Sequence, residues 1–136
     1  MACAIAIVED EPELQALYRL MLASRGYEIA YVSADADDAV NCYRECVKKP
    51  DLVIMDQQLC RSSGIDAAER IAAMDPGACI LFATADAELC LAACVPGVAG
   101  VLQKPFSMGA FFAAIESALV REENSHYPRR QASSFA

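Results

Sequence analysis

The 136-residue sequence predicts an α/β fold in which a doubly wound, five-stranded parallel sheet carries helices on both faces. Three observations predict it. Short runs rich in branched residues alternate with longer segments of helical period. Runs such as Leu52 to Met55 are apolar without a break, as strands covered on both faces must be. Charged and hydroxyl side chains follow directly on the ends of these runs, where an open parallel sheet binds its ligands.

Residues 2–8 read as the first strand. The first helix opens at Pro12, whose fixed φ suits a first helical turn, and it presents Leu14, Leu17, Tyr18, Met21 and Leu22 on one apolar face until Gly26 stops it. Residues 27–32 give the second strand, and 35–48 the second helix, with Ala39, Val40, Tyr43, Cys46 and Val47 inward. The third strand is Asp51-Leu-Val-Ile-Met55, followed by a loop and a third helix from Ile65 to Met74. The turn Asp75-Pro76-Gly77 leads into a fourth strand over 78–84, and residues 86–95 form a short fourth helix. A fifth strand covers 100–103. The last helix, 107–121, turns Phe111, Ala114, Ile115, Ala118 and Leu119 inward; of the neighbours Phe111 and Phe112, only one is expected to face the core. One domain, 1–121, is therefore expected, with 122–136 as a flexible tail that lacks periodicity.

Composition narrows the function. Nineteen acidic against eleven basic residues leave a formal charge of −8, which disfavours a nucleic-acid partner, since binding to phosphate backbones relies on clustered Lys and Arg. No apolar stretch approaches the roughly 20 residues of a membrane span, and the N-terminal run lacks a basic leader, so the chain reads as cytoplasmic with no membrane partner. Seven cysteines are an odd number without a CxxC pair, which speaks against a disulfide scaffold or zinc site. Cys42/Cys46 and Cys90/Cys94, four apart on helices, read as core filling, and Cys60 sits in a loop where nearby carboxylates blunt its reactivity. His126 lies in the tail without a catalytic partner.

The strand ends gather the chemistry. Strand one ends in Glu9, Asp10 and Glu11; strand three in Asp56; strand four in Thr84; strand five in Lys104 and Pro105. Two carboxylates about 4 Å apart repel by about 4 kcal/mol at an effective dielectric near 20, so the cluster calls for a cation. Oxygen donors without histidine or cysteine neighbours favour a hard ion, Mg²⁺ first and Mn²⁺ as the alternative. Lys104 adds a positive point charge and Thr84 a hydroxyl donor, a cradle for a transferred phosphoryl group with Asp56 as the nucleophile. Glu11 and Glu13, beside Pro12, read as ordinary N-terminal helix charge.

These residues carry a resemblance over about 3–121. "VEDE" after strand one, "DLVIMD" with Gly64 eight residues beyond the aspartate, "FATA" at strand four and "KPF" after strand five resemble the receiver domain of bacterial two-component response regulators, a flavodoxin-like (βα)5 fold. The resemblance implies that Asp56 accepts a phosphoryl group from a sensor histidine kinase or histidine phosphotransfer protein. It implies that Asp10, Asp56 and the backbone carbonyl of Gln58 hold Mg²⁺, with Glu9 acting through water, and that Thr84 and Lys104 sense the phosphoryl group. It further implies a single-domain regulator in a phosphorelay that catalyses its own Mg-dependent phosphorylation and slow autodephosphorylation. A downstream protein would read the face of the fourth helix, fifth strand and fifth helix, and a homodimer on activation is a further expectation. The Lys104–Pro105 bond is often cis in this family.

The chain departs from the family at several points. Val101 stands where the family has a switching Tyr or Phe, and Cys60 where proline is common. Asp56 and Thr84 are 28 residues apart, a slightly short span, while Gln58 and Asp86 occupy positions that tune phosphoryl lifetime. Val101 and Cys60 motivate a rival reading, a phosphorylation-independent interaction module acting constitutively or by cysteine oxidation. A small aspartyl-phosphate phosphatase ranks lower, because it needs a second aspartate where Gln58 stands.

Overall fold

Along the chain come β1 (Ala4–Val8), α1 (Pro12–Ser24), β2 (Glu28–Ser33), α2 (Ala36–Glu45), β3 (Leu52–Asp56), the short β4 (Gln58–Leu59) and β5 (Ser62–Ser63), α3 (Gly64–Met74), β6 (Ile80–Thr84), β7 (Val98–Gln103) and α4 (Met108–Glu123). The computed structural model describes residues 2–59, 61–85 and 95–123, with side chains through residue 120. The predicted fourth helix, with Asp86, Cys90 and Cys94, lies outside the described residues, as do Cys60, His126 and the predicted tail from residue 124 on.

Five strands form one parallel sheet in the order β2-β1-β3-β6-β7. Chain order reverses around β1: the chain leaves β1 for β2 on one side and returns to β3 on the other. That reversal opens a crevice at the carboxyl ends of β1 and β3.

The three inner strands are buried at every residue, which is why their sequences are apolar up to the polar residues Asp56 and Thr84 that end β3 and β6. Their side chains nevertheless alternate between two cores. Ala6, Val8, Val53, Met55, Ile80 and Phe82 join the inward faces of α2 and α3 on one side of the sheet. Ile5, Ile7, Leu52, Ile54 and Leu81 join those of α1 and α4 on the other. The period of two in the pleat decides which core each side chain enters. β2 and β7, the edge strands, are only partly buried.

Helix ends follow local chemistry. α1 stops because Gly26 takes φ +80, which lets the amides of Gly26 and Tyr27 bond back to Ala23 and Leu22. Ser63 caps α3 by accepting from the amides of Ile65 and Asp66, and Asp35 caps α2 by accepting from Asp38.

Several expectations need correction. α2 ends at Glu45, three residues early; Cys46 turns to extended backbone and Val47 is fully exposed rather than inward. The chain must leave the helix there to reach β3, and the Lys49 ammonium, donating to the carbonyls of Tyr43 and Arg44, closes the helix end. Leu17, expected inward on α1, is 45% exposed, whereas Tyr18, Met21 and Leu22 are buried. Phe111 and Phe112 both lie in the core, at 0% and 3% exposure. Phe111 stacks on Tyr18 and Phe106, while Phe112 meets it edge-on at 5.3 Å and fills the groove towards α1, where the Arg25 guanidinium covers its ring at 4.1 Å. The loop after β3 contains a small antiparallel ladder, β4 with β5, and β7 starts two residues earlier than expected. α4 continues to Glu123, past the expected boundary at 121.

Candidate functional site

Each candidate residue arrives at the site because its strand ends there. β1 delivers Glu9 and Asp10, β3 ends on Asp56, and β6 ends on Thr84, whose carbonyl accepts the Lys104 amide at 2.7 Å and so fixes the start of the Lys104-Pro105 turn beside it. The Lys104–Pro105 peptide is cis. The Gln57 amide bonds to the Ala83 carbonyl at 3.1 Å, which carries the pairing of β3 with β6 one residue past Asp56. The sheet thus brings Asp10, Asp56, Gln58, Thr84 and Lys104 to the wall of one cleft of about 450 Å³, joined by Glu11, Leu14, Leu59 and Ala85.

Carboxylate oxygens of Glu9, Asp10 and Asp56 lie within 4.8 Å of one another. Glu9 is the most buried, at 1% exposure, and sits behind the cleft rather than on its wall. The Lys104 ammonium bridges the cluster, 2.9 Å from Glu9 Oε1 and 3.3 Å from Asp56 Oδ2. The second Glu9 oxygen, Oε2, accepts the Glu11 amide at 3.2 Å, and Asp56 Oδ1 accepts the Gln58 amide at 3.2 Å.

Burial pushes the Glu9 carboxyl up to about 7, outweighing the hydrogen bonds from Lys104 and the Glu11 amide, and the charge of Asp56 adds to the rise. Burial acts on Lys104 in the opposite sense, yet the hydrogen bond it donates to Glu9 and the charges of Asp56 and Glu9 hold its ammonium above the usual lysine range. Among the described residues a single ammonium stands with three carboxylates, so this cluster carries excess negative charge. A divalent cation fits this donor set: the ligating groups are hard oxygens, and among the described residues no histidine or cysteine joins them.

The described residues after Asp56 are tied to their surroundings on both sides. Gly64 begins α3 so near Asp56 that a Cβ there would lie 1.9 Å from the Asp56 carbonyl oxygen, and its amide bonds to the Gln57 carbonyl at 3.0 Å. β4 and β5 pair Gln58 with Ser63, and Ser62 Oγ accepts the Ala36 amide at 3.0 Å, tying the loop to the start of α2.

All the site residues expected from the sequence converge here. Glu11, read as helix charge alone, also lines the cleft and anchors Glu9 through its amide. Leu14 and Gln15 carried no functional expectation. Leu14 forms cleft wall, and the Gln15 side chain donates to the Glu9 carbonyl at 2.5 Å. No sequence pattern marks Gln15, because its side chain reaches a carbonyl six positions back.

A family model described as the response regulator receiver domain matches residues 5–116. The transcriptional regulatory protein PdtaR of Mycobacterium tuberculosis is 37% identical over 118 residues, covering 86% of this chain and 57% of that protein, so the chain spans little more than half of it. The chemotaxis protein CheY of Thermotoga maritima is 31% identical over 108 residues, covering 78% of this chain and 88% of that protein. A two-component response regulator of the LuxR family from Aurantimonas superposes with a TM-score of 0.80 at 32% identity, covering 89% of this chain and 87% of that one. Sequence, topology and the acidic cleft agree, and the chain belongs to the response regulator receiver domain family.

Proposed function

We propose that this chain accepts a phosphoryl group on Asp56 from a sensor histidine kinase or a histidine phosphotransfer protein. The observation that carries the reading is the convergence of Asp56 with the oxygens of Glu9 and Asp10, within 4.8 Å, under a lysine that touches both Glu9 and Asp56.

In the transfer, an Asp56 carboxylate oxygen attacks phosphorus, the bond from phosphorus to the donor nitrogen breaks, and the donor imidazole keeps the electron pair. Asp56 is suited to this: it is 8% exposed, at the end of a strand buried along its length, and it lines the cleft together with Thr84 and Lys104. Lys104 lies 3.3 Å from Asp56 Oδ2 and balances charge that the phosphoryl oxygens bring. Thr84 offers a hydroxyl at the same wall.

Glu9, Asp10, Asp56 and the Gln58 carbonyl are the groups that would hold Mg²⁺, with Glu9, set back behind the cleft, acting through water. When bound, the ion supplies positive charge that neutralises the phosphoryl oxygens. The phosphorylated state shifts a two-state equilibrium. A downstream protein reads it on the face that includes β7 and α4, where Val101 before the Lys104 turn and Met108 after it are exposed.

The experiment is incubation with Mg²⁺ and a small-molecule phosphodonor. One hydroxylamine-sensitive phosphoryl group per chain is expected, and Asp56→Asn should abolish it. Labelling that survives Asp56→Asn, or no labelling of the wild-type chain, overturns the reading.

A further inference from the structure

The acidic loop between β1 and α1 is three residues long and crowded with charge, and the usual device for fixing such a loop is missing. Glu11, at the N-cap of α1, makes no side-chain hydrogen bond to the helix. The loop is held from elsewhere. The Glu9 amide donates to the Ser33 carbonyl at 2.9 Å, the Glu11 amide to Glu9 Oε2 at 3.2 Å, and the Gln15 amide to the Glu11 carbonyl at 3.0 Å. The Glu9 carbonyl lies past the end of β1, and the Gln15 side-chain Nε2 supplies its donor at 2.5 Å.

We propose that Gln15 is a positioning residue: by clamping the Glu9 carbonyl it holds the Glu9-Asp10 segment in the arrangement that receives a divalent cation. The proposal rests on the acid-site reading above. Repulsion among Glu9, Asp10 and Asp56 tends to splay the loop in the metal-free chain, and Gln15 resists that at the peptide joining the first two. A neutral amide suits the task. It donates a hydrogen bond without adding a fourth carboxylate to the cluster or a cation that would compete for it. Gln15 is half-buried and is not on the cleft wall, so it acts through Glu9 and not on the ion.

The test compares wild type, Gln15→Leu, which keeps bulk but removes the donor, and Ala16→Gly, which weakens the same helix at an exposed neighbour. Mg²⁺ titration calorimetry is paired with amide hydrogen exchange of Glu11 in the metal-free chain. Loss of one hydrogen bond is expected to weaken Mg²⁺ binding by about three- to tenfold in Gln15→Leu and to speed Glu11 exchange, with neither change in Ala16→Gly. Equal weakening in both variants, or unchanged affinity in Gln15→Leu, overturns the positioning role while wild-type binding stands. A wild-type chain that binds no Mg²⁺ overturns the acid-site reading, and this proposal with it.

Discussion

At the scale of the residue, position matters more than type. Asp56 is an aspartate that simple hydropathy would place in a loop, yet it is the last residue of a fully buried strand, and its surroundings make it a candidate nucleophile. Gly64 shows the same dependence. Its importance follows from what a side chain would strike, the Asp56 carbonyl, which is backbone and cannot rotate away. Gly64→Ala is expected to cost about 1–3 kcal/mol, by the overpacking argument, and to reduce phosphoryl acceptance by shifting Asp56. Urea unfolding and Mg-dependent labelling check the two effects; an unchanged midpoint would show that α3 shifts freely. The residues that touch the acidic cluster were legible in the sequence because each ends or follows a strand. Gln15 was not, since its side chain bonds to a carbonyl six positions back and no pattern marks that reach.

At the scale of the element, local signals placed the helices and strands, and tertiary demands set their ends. Pro12 and Gly26 bound α1 as read from the sequence, because both act through their own backbone geometry. α2 kept its apolar period through Val47 in the sequence, but the structure ends the helix at Glu45 to allow the crossing to β3. The period could not show this, since it describes the face of a helix and not its length. Phe112 was misjudged for a related reason: α4 packs against both the sheet and α1, so its buried sector is wide enough for two adjacent aromatics. α3 depends on its cap. Ser63→Ala removes the acceptor for two helix amides and is expected to lower stability by about 1 kcal/mol, read as a lower denaturant midpoint at unchanged slope. An unchanged midpoint would mean that water replaces the serine at no cost.

At the scale of the whole molecule, the sheet order decides where chemistry happens. Three carboxylates, a lysine and a hydroxyl come from four strand ends spread over 96 residues, from Glu9 to Lys104, and parallel pairing sets them on one edge. Their excess negative charge weakens the metal-free fold, so a cation that binds only the folded chain should raise its melting temperature. At 100 times the dissociation constant the gain is about 2.7 kcal/mol. Calorimetry in Mg²⁺ against EDTA is expected to show that rise in wild type and a much smaller one in Asp10→Asn; coincident wild-type melts would remove the metal from the proposed function.

The sequence by itself determined the alternation of strands and helices, the burial of the inner strands and the list of residues at the acidic edge. These follow from period, apolar run length and the punctuation of glycine and proline, all of which act within a few residues. Tertiary structure alone decided the strand order, the 2.9 Å and 3.3 Å contacts of Lys104, the close approach of Gly64 to Asp56 and the clamp of Gln15 on Glu9. Those depend on how segments far apart in the chain, or a helix and the loop before it, come to rest against each other, which packing and hydrogen-bond satisfaction settle only once the whole sheet is assembled.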